Sequence, residues 1–233
     1  MASGLQSEIT VEVKCSKKKL FEILKANGFL LKERLYITDY YYTHLDVSKK
    51  HPEFKELSKN SCLIRNVELE RRYFNSGDIT TLLYKKKDID ENNHTLSEQK
   101  VACKVDSLAS AKRILSLMGL NNWCTKKITG HVFKSGPIEL LVQEVDGFGL
   151  FIEVEQFESQ ANDSQTKIMN RLKKFINELE IPIRPDYHVS ISYLMYLESL
   201  KPKKPKTSTS KSAPKKAGTS KPKTGVRAKT RRS

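Results

Sequence analysis

The chain has 233 residues, 38% of them hydrophobic, with 9 Phe, 9 Tyr and 1 Trp, which is enough to build one sizeable core and excludes a wholly disordered protein. The formal charge of +15 is concentrated, because Lys201–Ser233 holds 13 of the 42 Lys and Arg and no Asp or Glu. Residues 1–200 carry 29 basic residues against 27 acidic and are close to neutral.

Cys15, Cys62, Cys103 and Cys124 are widely spaced, without CxxC or Cys/His ligand spacing. This argues against a disulfide framework or zinc site and fits reduced thiols. No apolar run reaches signal-peptide or membrane-spanning length, so a soluble intracellular protein without a membrane partner is expected.

In chain order, Ile9, Val11 and Val13 alternate with Thr10, Glu12 and Lys14, which predicts a two-faced strand. Ser16 is placed to cap a helix carrying Leu20, Phe21, Ile23 and Leu24 and ending near Gly28. Strand-like runs follow at 35–42, 62–72, 80–87 and 99–105, separated by turn-rich segments such as Asn75-Ser76-Gly77-Asp78. Ser107 opens a second helix ending at Gly119, and strands follow at 126–133, 138–144 and 150–156. Asp163 or Ser164 starts a third helix with Ile168, Leu172, Phe175, Ile176 and Leu179 at helical spacing, and a short helix closes the domain at 192–200. The expected class is α+β, an antiparallel eight-stranded barrel with flanking helices spanning residues 1–200. Residues 201–233 are Lys, Pro, Ser, Thr, Ala and Gly with almost no large apolar side chain. They are expected to stay disordered.

Glu153 and Glu155 lie two apart on a predicted strand, so both carboxylates face one side. Two carboxylates at about 7 Å repel each other and call for a divalent cation or nearby Lys and Arg; an ordinary solvated strand face is the plain alternative. Glu12 and Lys14 repeat the theme on the first strand, and Lys85 and Lys87 share a face. Arg65, Lys126 and Lys127 add cations on other strands. Gathered in one lumen, such groups suit a polyphosphate, with cations on its oxygens and carboxylates on a bridging metal. Isolated His131 and His188 read as structural, and Glu68 with Glu70 as surface charge beside Arg71 and Arg72.

Several stretches together resemble the CYTH superfamily of class IV adenylyl cyclases and thiamine triphosphatases, the triphosphate tunnel metalloenzymes. Thr10-Val-Glu-Val-Lys14 resembles the ExExK signature, and Thr38-Asp-Tyr-Tyr-Tyr42 the DxYF segment. Leu83-Tyr84-Lys85 is similar to the "LTYK" strand, Gly147–Glu155 to "GLGxFxEIE" and Ser192-Tyr193 to "SYxxLL". The match spans about residues 8–197. The resemblance implies a barrel whose lumen binds triphosphate with Mg²⁺ or Mn²⁺. It implies Glu12, Glu153 and Glu155 as metal ligands, and Lys14, Arg65, Lys85, Lys87 and Lys127 as phosphate-binding residues. Lys14, Glu12 and Glu153 carry the implied catalytic role.

Two departures weaken the metal site. Thr10 replaces the first glutamate of the signature, and Gln143 stands where many members carry aspartate. The expected function is therefore a metal-dependent triphosphatase or adenylyl cyclase, with a non-catalytic phosphate-binding barrel as the alternative. The expected partners are a triphosphate-containing small molecule or an RNA 5′-end, with DNA or RNA held by the tail through counterion release. A nuclear-import signal at Lys201–Lys206 is the tail's other reading.

Overall fold

The computed structural model describes residues 5–46, 57, 60–69, 78–89, 95–157, 165–185 and 191–199. The tail 201–233, Glu70, His188 and the side chain of Glu155 lie outside this set.

Among the described residues, eight antiparallel strands and four helices follow in chain order: β1 (Leu5–Glu12), α1 (Lys17–Ala26), β2 (Leu30–Thr43), β3 (Asn60–Leu69), β4 (Ile79–Ile89), β5 (Thr95–Lys104), α2 (Leu108–Leu117), β6 (Asn121–Ser135), β7 (Ile138–Val145), β8 (Gly149–Phe157), α3 (Gln165–Glu178) and α4 (Ile191–Ser199). The strands close a barrel in the order β1-β5-β4-β3-β2-β6-β7-β8. The closing seams differ: β1 pairs with β8 from Gln6 to Glu12, but with β5 only at Leu5↔Gln99 and Gln6↔Glu98.

Local chemistry explains the helix boundaries. The Ser16 hydroxyl accepts the Lys19 N–H at 3.3 Å, and the Ser107 hydroxyl accepts the Ser110 N–H at 3.2 Å, satisfying donors at the first turns of α1 and α2. Gly28 and Gly119, at φ 79° and 78°, end the same two helices in the left-handed region that glycine enters without a Cβ penalty.

The pleat divides the strand residues between two environments. Ile9, Val11, Leu140, Val142, Ile152 and Val154 pack outside the barrel against α1 and α3. Tyr42, Ile64, Ala111 and Leu115 form a second outer core beneath α2. Inside, Leu35, Ile37, Ile128, Val132, Val145 and Phe151 cluster with Ile191, Leu194 and Met195 of α4. Met195 also packs with Tyr41, Leu63, Leu83 and Cys124, so α4 closes part of the lumen with apolar side chains. His131 is buried with its ring 5.1 Å from Phe21, edge to face, as the structural reading expects.

Candidate functional site

Directly opposed residues in an antiparallel pair share a face. The register Thr10↔Glu153 and Glu12↔Phe151 therefore puts Glu8, Thr10, Glu12 and Glu153 on the inner face. Ladders through β2, β3 and β4 continue it to Asp39↔Arg65↔Thr81, and so to Lys85 and Lys87.

Asp39 is the centre of one cluster and has no exposure to solvent. Arg65 grips it in a two-pronged pair, with Nε donating at 2.7 Å and Nη2 at 2.9 Å, and the Lys126 ammonium stands 3.4 Å away. Burial alone raises the Asp39 carboxyl, but Arg65 and then Lys126 outweigh it and hold the group well below the usual carboxylate range. A second cluster joins β1, β4 and β5. Glu98, fully buried, meets Lys85 at 2.9 Å, Lys87 at 3.0 Å and Lys100 at 3.4 Å. Glu8 meets Lys100 at 3.4 Å and Lys87 at 3.6 Å. Burial again pushes the Glu8 carboxyl up, and Lys85, Lys87 and Lys100 bring it well below its ordinary value.

Lys85 behaves differently from its neighbours. It is only 8% exposed, and burial, with Lys100 and Lys87 beside it, holds its ammonium below the ordinary value despite Glu8 and Glu98. Among the described residues, the ammoniums of Lys85, Lys87 and Lys100 face the two carboxylates Glu8 and Glu98, so the cluster has one cation more than it has anions.

The carboxylates expected to hold a metal are less tightly grouped. Gln143, 2% exposed, donates through Nε2 to Glu153 Oε2 at 2.6 Å, while its own Oε1 is buried with no hydrogen-bond partner. Glu12 is paired with Lys14 and with Arg184, whose Nε lies 3.1 Å from Glu12 Oε2. No group of three or more His, Cys, Asp or Glu poised for a metal exists among the described residues. Glu155 pairs with Glu8 in the ladder, and its side chain is outside the described set.

Of the expected phosphate-binding residues, Arg65, Lys85 and Lys87 converge inside the barrel, and Lys14 sits at its rim on Glu12. Lys127 is the exception and requires a correction. It pairs with Thr38, exposed on the outer face, whereas Lys126 pairs with Asp39 and points inward. Lys127 instead lines an outer groove of about 800 Å³ beside Tyr36, Thr129 and the Lys17–Glu144 pair. Glu144 lies on the outer face as its place in the strand requires, and so is no substitute for Gln143. Sequence reading passed over Glu8, Asp39, Glu98, Lys100 and Arg184 as site residues. Alternation on β1 does put Glu8 in phase with Glu12, but the others show their role only once distant strands are paired.

A closed eight-stranded barrel with buried charge inside can be compared with known proteins. No family model matches the chain. A protein of Methanocaldococcus jannaschii named as a putative adenylate cyclase is 24% identical over 175 residues, covering 75% of this chain and 90% of that one. Among solved structures, the PH1819 protein of Pyrococcus horikoshii OT3 matches with a TM-score of 0.65 at 19% identity, covering 83% of this chain and 99% of that chain. A Vibrio parahaemolyticus protein titled a putative adenylate cyclase matches with a TM-score of 0.57 at 17% identity, covering 83% and 99%. The chain has the CYTH-type fold.

Within this CYTH barrel, the donor set can be tested for a divalent cation. Glu12 and Glu153 are carboxylates on one face, and the buried, partnerless Gln143 Oε1 beside Glu153 is a hard oxygen donor. Oxygen donors of this kind fit Mg²⁺ or Mn²⁺. The neutral amide makes the set weaker than one of three carboxylates, so substrate phosphate oxygens would have to complete it.

Proposed function

We propose that the protein binds a triphosphate in the lumen of its CYTH barrel and acts on it with a divalent cation. The observation that carries this reading is the gathering of Arg65, Lys85, Lys87, Lys100 and Lys126 on the inner wall, with Lys85 buried in a cluster of three ammoniums and two carboxylates. Cations shielded from water bind phosphate oxygens more strongly than surface cations do. Arg65 and Lys126, fixed by Asp39, would orient the phosphate chain, and Lys85 and Lys87 would neutralise it. Glu12, Glu153 and Gln143 would hold Mg²⁺ or Mn²⁺, which supplies charge stabilisation at the phosphoryl oxygens. Water as nucleophile makes the protein a triphosphatase. The ribose 3′-hydroxyl makes it a cyclase releasing pyrophosphate, in keeping with the names of two of the relatives.

The basic tail supports an RNA 5′-triphosphate as substrate, since 13 cations without a single acid attract a nucleic-acid backbone regardless of sequence. One assay tests both parts: release of phosphate and pyrophosphate from ATP, tripolyphosphate, thiamine triphosphate and 5′-triphosphate RNA, with Mg²⁺ or Mn²⁺. Glu153→Gln should lower turnover at least about a hundredfold, as expected for loss of a metal-holding charge. Removing residues 201–233 should weaken use of RNA alone. RNA turnover unaffected by that removal would end the tail's part in the reading.

A second reading is favoured by a specific feature, Gln143 and Thr10 in place of acids, with Glu12 already neutralised by Lys14 and Arg184. A barrel so built could hold a phosphate ligand without turning it over. The fold also occurs in the Schizosaccharomyces pombe Mediator head module, matched with a TM-score of 0.50 at 10% identity. No release from any of the four substrates, with tripolyphosphate still bound, would select this reading.

A further inference from the structure

Glu12 has more positive charge against it than one carboxylate requires. Lys14 follows it on the same strand, and Arg184 arrives from a segment beyond the barrel. That segment is tied to the end of β1 by a short ladder. Ile183 bridges Val13, the Lys14 N–H donates to the Pro182 carbonyl at 2.7 Å, and the Arg184 N–H donates to the Glu12 carbonyl at 2.9 Å. The backbone of residue 184 is thereby fixed at the rim of the lumen. Its side chain is held far less: it is 48% exposed, and among the described residues its guanidinium meets only Glu12. A guanidinium offers five donors in a fork suited to phosphate, and Nε is the atom on Glu12. Lys14 is similarly placed, at 44% exposure.

We infer that Arg184 is a further phosphate-binding residue, and that an arriving triphosphate takes Arg184 and Lys14 from Glu12 and frees that carboxylate for the divalent cation. This rests on the triphosphate site proposed above. The exchange keeps every charge paired. Without the triphosphate, a cation must compete with Arg184 and Lys14 for Glu12. Without the metal, a triphosphate that draws both cations away leaves Glu12 uncompensated. Each ligand therefore improves the affinity of the other, and by the same factor.

The experiment is equilibrium binding to the full chain, with Mn²⁺ alone and with metal-free tripolyphosphate alone, for wild type, Arg184→Gln and Arg184→Lys. Neither condition permits metal-dependent turnover. Arg184→Gln should bind tripolyphosphate about tenfold more weakly, the loss of one charge-assisted contact. It should bind Mn²⁺ more tightly, by roughly threefold, because a half-exposed competing pair is gone. Arg184→Lys should recover part of the tripolyphosphate affinity, and thermal unfolding should show all three folded. Changes of opposite sign support the exchange. Both affinities falling together, or neither changing, overturns it and makes Arg184 a structural tie. Failure of wild type to bind tripolyphosphate at all overturns the triphosphate site itself, and this inference with it.

Discussion

Asp39 shows how a single carboxylate can organise a binding surface. Its side chain is fully buried, so its negative charge persists only because Arg65 and Lys126 offset the desolvation. Asp39→Asn would leave two cations facing each other across a neutral amide. It is expected to cost about 3 kcal/mol of stability by chemical denaturation, the lower end for breaking a buried pair because Arg65 is partly exposed. The same chemistry sets the pH dependence. Asp39, Glu8 and Glu98 all have folded-state carboxyls below their ordinary values. Their contribution is complete above the unfolded-state range, about pH 4, and is lost as pH falls through the lower folded values. Denaturation midpoints should thus be flat from neutrality to about pH 5 and drop below about pH 4, with a shallower drop in Asp39→Asn.

At the level of the element, the sequence was most informative where a strand has one wet and one dry face. Ile9, Val11 and Val13 against Thr10, Glu12 and Lys14 announce β1, and the inner and outer cores confirm the division. Helix ends were readable for a local reason: Ser16 and Ser107 cap through their own hydroxyls, and Gly28 and Gly119 stop the same helices. Ser16→Ala should lower stability by about 1 kcal/mol, measurable by denaturation, through loss of the Lys19 N–H acceptor. What could not be read depended on pairings distant in sequence. Lys126 and Lys127 are adjacent and identical, and only the pairing Asp39↔Lys126 decides which enters the lumen. Arg184 reaches Glu12 because a segment after α3 adds to the end of β1, a contact 172 positions away along the chain that no local pattern encodes. Glu98 gains its cationic partners only because β5 lies between β4 and β1.

For the molecule as a whole, the barrel separates two kinds of interior. Around Leu35, Ile37, Ile128 and Val132 it is an apolar core closed by α4. Around Asp39, Glu8 and Glu98 it is a salt network in which Arg65, Lys126, Lys85, Lys87 and Lys100 outnumber the three carboxylates. The first interior supports the fold, and the second is what makes the lumen a candidate site for an anion. Among the described residues no helix is long and apolar enough to cross a membrane. Residues 201–233 hold 13 cations and no acid, whereas residues 1–200 are near neutral, so the proposed nucleic-acid binding and the proposed luminal phosphate binding can be tested separately.

The most direct test of the luminal claim is a calorimetric titration of tripolyphosphate with Mg²⁺ into wild type, Lys85→Met and a control, Lys127→Met. The account predicts saturable one-to-one binding to wild type and a loss of at least about tenfold in Lys85→Met, since a buried charge-assisted contact is removed. Binding to Lys127→Met should match wild type, because that side chain lies outside the barrel. Equal affinity in wild type and Lys85→Met, or a loss confined to Lys127→Met, would contradict it and move the phosphate site to the outer groove.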